Sequence, residues 1–235
     1  MLSAVDIILI VIVAILVIVA ILTNKLPFAS TKSGKNTVES VMTNLEYPVF
    51  QRLRPYLKNA GLQGFPEQLI LVGLKGEKNL EVYTDIDNEI RHIISYPFTA
   101  CSGRLGPKLK EGDLQIPEGI YGLEYLNPNS AFHLSMKITY PNDFDKKMAK
   151  QDNRKNLGDD IFIHGKANSV GCIPIGDKAI EELFLMVAKA EKENVEVIIS
   201  PRDFRTNNAF PDIENLPWID SLYSMIQSRL NEINP

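Results

Sequence analysis

The spacing of apolar residues changes along the chain, and these changes predict the order of its elements. Every residue from Ile7 to Leu22 is Ile, Leu, Val or Ala, so this stretch has no polar face. Residues 38–59 then carry apolar side chains at helical spacing and predict a helix, which we expect Pro48 and Pro55 to interrupt or kink. A helical lead-in therefore separates the apolar N-terminal stretch from the rest of the chain.

From residue 68 onward the pattern is typical of β-strands. Short stretches either alternate apolar and polar residues or run apolar throughout, with turn-forming residues between them. The predicted strands lie at 69–72, 80–83, 90–98, 120–126 and 131–138, and a later one at 195–199. Short strands with such turns between them favour a mainly β sandwich or barrel core.

Two later segments return to helical spacing. The segment that starts at Asp177, the predicted N-cap, places a buried stripe at i, i+3, i+4 and i+7. A second amphipathic pattern begins near Trp218, after a polar loop. Residues 141–160 are mostly polar, and we expect a loop or lid there.

These patterns divide the chain into five parts. Segment 1–23 approaches the ~20 residues of a membrane-spanning helix, and we expect a transmembrane anchor rather than a cleaved signal segment because a basic start is lacking. We expect a linker at 24–36 and the helical lead-in at 37–64. A mainly β domain with flanking helices follows at 65–206, and a helical extension that packs on this domain follows at 207–235.

Composition excludes several classes of function. The net charge is −4 and no basic run occurs, so the chain does not have the charge pattern of a nucleic-acid-binding protein. Two cysteines and three histidines are too few and too scattered for a structural zinc site. The Gly-x-x-x-x-Gly-Lys-Ser/Thr phosphate loop does not occur. We therefore expect no metal site and no nucleic-acid partner.

Candidate chemistry lies at residues 161–174. An apolar run ends at His164, and a glycine and a polar turn lead to Gly171 and Cys172. A cysteine nucleophile acts as its thiolate, so it needs a nearby base, and eight residues allow a turn to bring the two side chains together. We expect His164 to keep this thiol ionised. A buried structural cysteine and a packing histidine are the alternative.

A resemblance to a known family supports the hypothesis that Cys172 and His164 are catalytic. His-Gly followed by Ser-x-Gly-Cys resembles the YkuD-type L,D-transpeptidase family, in its YafK-like branch. The polar, glycine-rich segment 101–119, with Ser-Gly-x-Leu-Gly-Pro-Lys-x-x-Glu-Gly-Asp and Pro-Glu-Gly-x-Tyr, resembles it too. So do Phe-His-Leu-Ser at 132–135 and Tyr-Pro-Asn at 140–142. The resemblance runs from about residue 61 to 204.

The resemblance implies a YkuD-like β-sandwich and acyl transfer through a cysteine. Cys172 would attack a carbonyl of a peptidoglycan stem peptide and form a thioester, with His164 as the general base. The backbone N–H groups of Gly171 and Cys172 would hold the oxyanion, and Gly165 and Ser169 would shape the turn. No organic cofactor is implied. Cys101 lacks a histidine on a nearby turn, and we expect no disulfide.

The resemblance also implies substrate contacts. The segment that contains Arg104 and Lys108 would border the cleft, where these cations could meet substrate carboxylates. His133 and Ser135 would share one face of the predicted strand 131–138 and point toward the cleft, with His133 as an alternative base. Alternatively, the cations and His133 are solvated surface residues without a role in substrate binding.

Departures from the wider family leave the second half of the reaction open. Val170 stands where the general motif has a histidine, and Pro174 and Ile175 replace the polar residue after the cysteine. The thioester could be opened by an amine, which forms a cross-link, or by water, as in an L,D-carboxypeptidase or amidase. A catalytically silent wall-binding module is the alternative of another class.

The implied location is the bacterial cell envelope, with an inner-membrane anchor and the catalytic domain in the periplasm. Lys25, Lys32 and Lys35 follow the apolar segment, and by the positive-inside rule they would favour a cytoplasmic body instead. We give more weight to the implied wall substrate, which lies outside the cytoplasm. The sequence leaves the oligomeric state open.

Overall fold

The computed structural model describes residues 35–233 of the 235-residue chain. The predicted anchor at 1–23 and almost all of the predicted linker lie outside the described residues. Among residues 35–233, no helix combines the length and the apolar character needed to cross a membrane.

The first described element is helix α1 (Val38–Asn59). Its N-terminus is capped by Thr37, whose hydroxyl accepts the N–H of Ser40, and the Ser40 hydroxyl accepts the N–H of Thr37 in return. The expected interruption is not observed, since one continuous helix includes both Pro48 and Pro55. Its buried side packs into the main core.

Nine strands form two mixed sheets within the described residues. The larger sheet contains β1 (Leu69–Leu74), β2 (Asn79–Ile86), β3 (Glu89–Pro97), β4 (Gly119–Tyr121) and β9 (Val195–Ser200), in the order β3-β2-β1-β9-β4. The smaller sheet contains β5 (Leu123–Asn127), β6 (Ser135–Ile138), β7 (Phe162–His164) and β8 (Ile173–Pro174), in that order. The pairs β1–β9 and β7–β8 are parallel, and the other pairs are antiparallel.

Three further α-helices cover these sheets: α2 (Asp143–Gln151), α3 (Asp177–Ala190) and α4 (Ile219–Glu232). One core cluster joins both sheets, α1 and α3, and a second joins β1 and β9 to α4. Strand β1 is buried at every position because it contributes to both clusters. The expected sheets with flanking helices are confirmed, although the helices contain more residues than a mainly β class implies.

The predicted elements at 120–126 and 141–160 differ from the structure. The predicted single strand 120–126 is two strands in different sheets, separated at Gly122, whose N–H donates to Thr139 Oγ1 at 2.9 Å. The predicted loop at 141–160 contains helix α2, which Asn142 caps and which buries Met148 and Ala149. Its largely polar sequence buries too few apolar side chains to show a clear helical stripe.

Candidate active site

The parallel pair β7–β8 places the two candidate reactive segments side by side. Ile163 and Ile173 are register partners, and both are fully buried in the core. His164 is the last residue of β7, and Cys172 directly precedes β8. The Cys172 thiol contacts the carbonyl of Asp160, whereas the His164 ring contacts the carbonyl of Gly165 and the ring of Phe132. No hydrogen bond joins the thiol to the imidazole in this structure.

His164 is held as a neutral base. Its side chain is buried, and its Nδ1 lies 2.6 Å from the carbonyl oxygen of Gly165. A carbonyl only accepts, so this bond assigns the proton to Nδ1 and leaves Nε2 with a lone pair. Burial lowers the pKa of His164, and the bond to Gly165 only partly opposes this effect.

The ring of Phe132 covers His164. The two ring centroids lie 4.5 Å apart, and Phe132 is itself 37% exposed. Phe132 therefore separates the imidazole from water and presents an apolar surface beside it. Phe132 is not among the candidate site residues predicted from the sequence, because the predicted strand 131–138 points its side chain away from the cleft.

Cys172 is a partly exposed free thiol, and Cys101 is an exposed one. The Cys172 thiol donates to the carbonyl of Asp160 at 3.7 Å. Burial raises the pKa of Cys172, while the N–H of Phe162 and the charge of Lys108 act in the opposite direction. Burial therefore favours the neutral form of the Cys172 thiol, as it does for the His164 imidazole.

A residue of the long loop holds the turn that precedes the cysteine. The hydroxyl of Ser102 accepts the N–H of Gly171 at 2.7 Å and lies 3.1 Å from the hydroxyl of Ser169. Ser169 donates to the carbonyl of Cys172 at 2.7 Å. The Gly171 N–H expected to hold an oxyanion is thus bonded to Ser102. Ser102 is not among the site residues predicted from the sequence, since it lies 69 positions before Gly171.

Both glycines of the turn are required by their surroundings. A Cβ on Gly165 would lie 2.6 Å from Asp177 Oδ1 and 2.6 Å from the carbonyl of Phe132. Gly171 has φ +93°, a conformation that other residues resist. Asp177 is not the N-cap of α3, which is Gly176; its carboxylate instead accepts the N–H of Lys166 at 2.8 Å.

The structure separates His133 from Ser135. Strand β6 begins at Ser135, which is buried and is the register partner of His164 on the neighbouring strand. His133 precedes the strand at φ +73°, so the predicted strand 131–138 is too long and the expected shared face is wrong. The His133 Nε2 lies 2.9 Å from Glu181, which also binds Arg52 at 2.8 Å.

The two predicted cations have different surroundings. Lys108 is 7% exposed, and its Nζ donates to the carbonyl of Lys110 at 2.9 Å and to Asp113 at 2.7 Å. It therefore holds the long loop together. Arg104 is exposed and lines two neighbouring cavities of about 620 and 590 Å³. Among residues 35–233, His, Cys, Asp and Glu side chains form no group that could hold a metal ion.

A buried ion pair attaches the long loop to the larger sheet. The Lys75 Nζ donates to the carbonyls of Gly106 and Ile116 and pairs with Glu118 at 2.8 Å. Glu118 also accepts the hydroxyl of Tyr223 from α4 at 2.8 Å. These contacts fix the long loop at Gly106 and at its C-terminal end.

A cysteine and a histidine at the adjacent ends of paired segments, beside glycines that keep the backbone accessible, define a candidate cysteine-dependent acyl-transfer site. Residues 67–199, more than half of the chain, match the family model of YkuD, the L,D-transpeptidase catalytic domain. The chain belongs to the YkuD family.

Individual proteins are similar over part of their length. YafK of Escherichia coli (strain K12), an L,D-transpeptidase by provisional assignment, is 31% identical over 140 residues. This match covers 57% of the present chain and 54% of YafK, so the chain spans about half the length of the curated relatives it matches. The YafK-like resemblance is thereby confirmed.

Among solved structures, the helical cell shape determining protein Pgp2 from Campylobacter jejuni is 23% identical with a TM-score of 0.47. That likeness covers 71% of this chain and 70% of the Pgp2 chain. Bd1075 from Bdellovibrio bacteriovorus is 19% identical with a TM-score of 0.43, over 71% of this chain and 55% of that one.

Proposed function

We propose that this chain is a cysteine-dependent acyl transferase that acts on peptidoglycan stem peptides in the bacterial cell envelope. Family membership supports the class of reaction. One observation carries the assignment of residues: the bond from His164 Nδ1 to the Gly165 carbonyl leaves Nε2 free to act as a base, at the end of the strand that pairs with the strand directly after Cys172.

The neutral resting pair sets the order of the proton transfers. Cys172 Sγ attacks the carbonyl that joins the diamino acid to the terminal D-alanine, while its proton moves to His164 Nε2. The tetrahedral intermediate then expels the amine of D-alanine, which takes that proton from the imidazolium. The product is a thioester on Cys172, and the attack of an amine or of water on it restores the thiol.

Ser102 and Ser169 have positioning roles in this scheme. Ser169 fixes the backbone carbonyl of Cys172, and Ser102 occupies the N–H of Gly171 in the resting structure. Rotation of the Ser102 hydroxyl frees this N–H, which then stabilises the oxyanion together with the N–H of Cys172. Ser135 and Phe132 pack around the base, and Arg104 faces the substrate.

The remaining parts of the proposal concern the whole chain. Residues 65–206 are the catalytic domain, flanked by a helical lead-in at 37–64 and a helical extension at 207–235. Residues 1–23 anchor the chain in the inner membrane and place the catalytic domain in the periplasm. The chain spans about half the length of the curated relatives it matches, so these assignments rest on the residues of this chain alone.

Intact-mass spectrometry after incubation with purified muropeptides tests the proposal. We expect a mass increase equal to an acyl-peptide on the parent protein and on Cys101→Ala, the matched control, and no adduct on Cys172→Ala. The absence of an adduct on the parent under all conditions would support the silent wall-binding module. Analysis of the released products distinguishes a cross-linked dimer from a hydrolysed peptide.

A further inference from the structure

Helix α1 lies before residue 67, where the family match begins, yet it is bonded to the turn that covers the candidate base. This covering turn consists of residues 129–134 and contains Phe132, whose ring centroid lies 4.5 Å from that of His164. Strand β6 begins only at Ser135, so the Phe132 ring is not held by a regular strand. Its position depends on the side-chain contacts of the covering turn.

The first contact joins the start of α1 to the start of the covering turn. Asn129 accepts the backbone N–H of Asn36 through Oδ1 and donates to the backbone carbonyl of Asn36 through Nδ2, both at 2.7 Å. Asn36 directly precedes Thr37, the N-cap of α1. A single exposed side chain thus connects the entrance of α1 to the covering turn by two hydrogen bonds.

The second contact runs from α1 through α3. The Nε2 of His133 lies 2.9 Å from Glu181 Oε1, and Glu181 Oε2 accepts the guanidinium of Arg52 at 2.8 Å. Arg52 also donates to Glu182 at 2.6 Å, and the buried Glu182 accepts the hydroxyl of Tyr96 at 3.0 Å. Because a guanidinium group binds carboxylates in fixed directions, these contacts hold Glu181 where His133 can reach it.

The backbone of the covering turn needs this support. His133 has φ +73°, a left-handed conformation that residues with a Cβ adopt only where surrounding contacts maintain it. It allows Phe132 to contact the base while the next side chain contacts Glu181. Lys166, from the turn after β7, donates to the carbonyl of Ala131 at 2.6 Å. Residues on both sides of Phe132 are therefore anchored.

We propose that α1 is a positioning element of the candidate site: Asn129, Glu181 and Arg52 connect it to the covering turn and keep the Phe132 ring on the base. This inference rests on the proposed function for the role of His164 as the base. The three residues act through Phe132, which separates the imidazole from water and restricts its movement.

The test measures the environment of the His164 ring and needs no turnover. NMR of the full-length chain in mild detergent, with carbon-13-labelled histidine, gives the pKa of each of the three histidines, and His164→Ala assigns the His164 signal. Burial lowers the pKa of His164, so loss of the Phe132 cover should raise it toward the ordinary value of 6.5. We expect this rise in Asn129→Ala and Arg52→Gln, and the largest rise in Phe132→Ala.

The control variants separate positioning from a change of charge. Arg54→Gln removes the same charge from an exposed position of α1 and should leave the pKa of His164 unchanged. Arg52→Lys keeps the charge and should restore part of the parent value. Asn129→Ala is a neutral change at an exposed residue, so it tests the proposal even if an Arg52 variant does not fold. The titratable residues of the segments that flank His164 stay the same in all of these variants: Asp160, Lys166, Cys172 and Asp177.

Two results would overturn the positioning role. One is a His164 pKa equal to that of the parent in both Asn129→Ala and Arg52→Gln, and the other is an equal shift in Arg54→Gln. If the parent forms no acyl adduct while the pKa of His164 still rises in Asn129→Ala, only the proposed chemistry is refuted.

A double variant tests whether Arg52 acts through Phe132. In Arg52→Gln we expect the maximal rate of Cys172 acylation to fall about tenfold, with little change in the donor concentration that gives half of this rate. In a Phe132→Ala background the same substitution should cause no further loss. Additive losses in the two backgrounds would contradict an action through the Phe132 ring.

Discussion

At the scale of the residue, burial acts on the candidate catalytic pair in a way that local sequence does not show. It raises the pKa of the Cys172 thiol and lowers the pKa of the His164 imidazole, so it disfavours the charged form of both. The sequence predicts an ionised thiol because the histidine lies nearby along the chain, whereas desolvation, which depends on the fold, acts against the charged form. Burial thus favours a neutral thiol and imidazole over a preformed ion pair.

This electrostatic state predicts a particular pH profile. Protonated His164 cannot accept the thiol proton, so the rate of Cys172 acylation should rise with pH through a midpoint below the ordinary histidine value of 6.5. It should not fall between about pH 7 and 9, because no imidazolium has to be retained. Stopped-flow or quenched mass measurements of adduct formation check this. A bell-shaped profile that declines in that range would indicate a preformed thiolate–imidazolium pair.

The site residues differ in how far the sequence could identify them. His164 ends β7 and Cys172 directly precedes β8, eight positions later, so the motif with its turn predicts that the two segments lie side by side. Ser102 reaches the turn from a loop 69 positions away, and Phe132 reaches His164 from a turn that the alternating pattern concealed. Such contacts depend on tertiary packing, for which a single sequence contains no local signal.

At the scale of the element, prediction succeeded where one face is clearly apolar. Helices α1, α3 and α4 and strands β1 to β3 lie close to their predicted positions. It failed for short strands at the point where the chain changes sheets, as at Gly122, because apolar residues continue on both sides of the break. It also failed for α2, whose two buried residues give too narrow a stripe.

The turn after β7 offers a test at this scale. Gly165→Ala would place a methyl group 2.6 Å from Asp177 Oδ1 and from the Phe132 carbonyl, so we expect a loss of about 1–3 kcal/mol in the free energy of unfolding and slower acylation. Gly64→Ala is the matched control, because a Cβ there meets nothing within 4 Å. Denaturant unfolding of both variants measures the difference. Equal stabilities would show that the turn is not tightly packed.

At the scale of the whole molecule, the Lys75–Glu118 pair connects the larger sheet, the long loop and α4. Both side chains are almost fully buried, and burial lowers the pKa of Lys75 even though Glu118 opposes the shift. The Lys75 ammonium group fixes the long loop, to which Ser102 belongs, at Gly106 and Ile116. The architecture of the site therefore depends on a charge pair that lies outside it.

Removal of one member of this pair should be costly. Lys75→Met leaves Glu118 buried without a counter-charge, and we expect a loss of about 3–5 kcal/mol in the free energy of unfolding. Lys137→Met is the control, because its partners Glu124, Asp159 and Asp160 are exposed, and a loss of no more than about 1 kcal/mol is expected. The double variant Lys75→Met/Glu118→Gln should recover part of the loss. Similar unfolding curves for Lys75→Met and Lys137→Met would contradict this account.

The most direct test of the central claim is single-turnover formation of the Cys172 thioester in His164→Ala, compared with the parent and with His133→Ala. We predict that His164→Ala slows thioester formation on the order of 10²–10⁴-fold, as expected for the loss of a general base. We predict a smaller effect for His133→Ala, whose ring binds Glu181. A larger loss in His133→Ala, or an unchanged rate in His164→Ala, would contradict the assignment of His164 as the base.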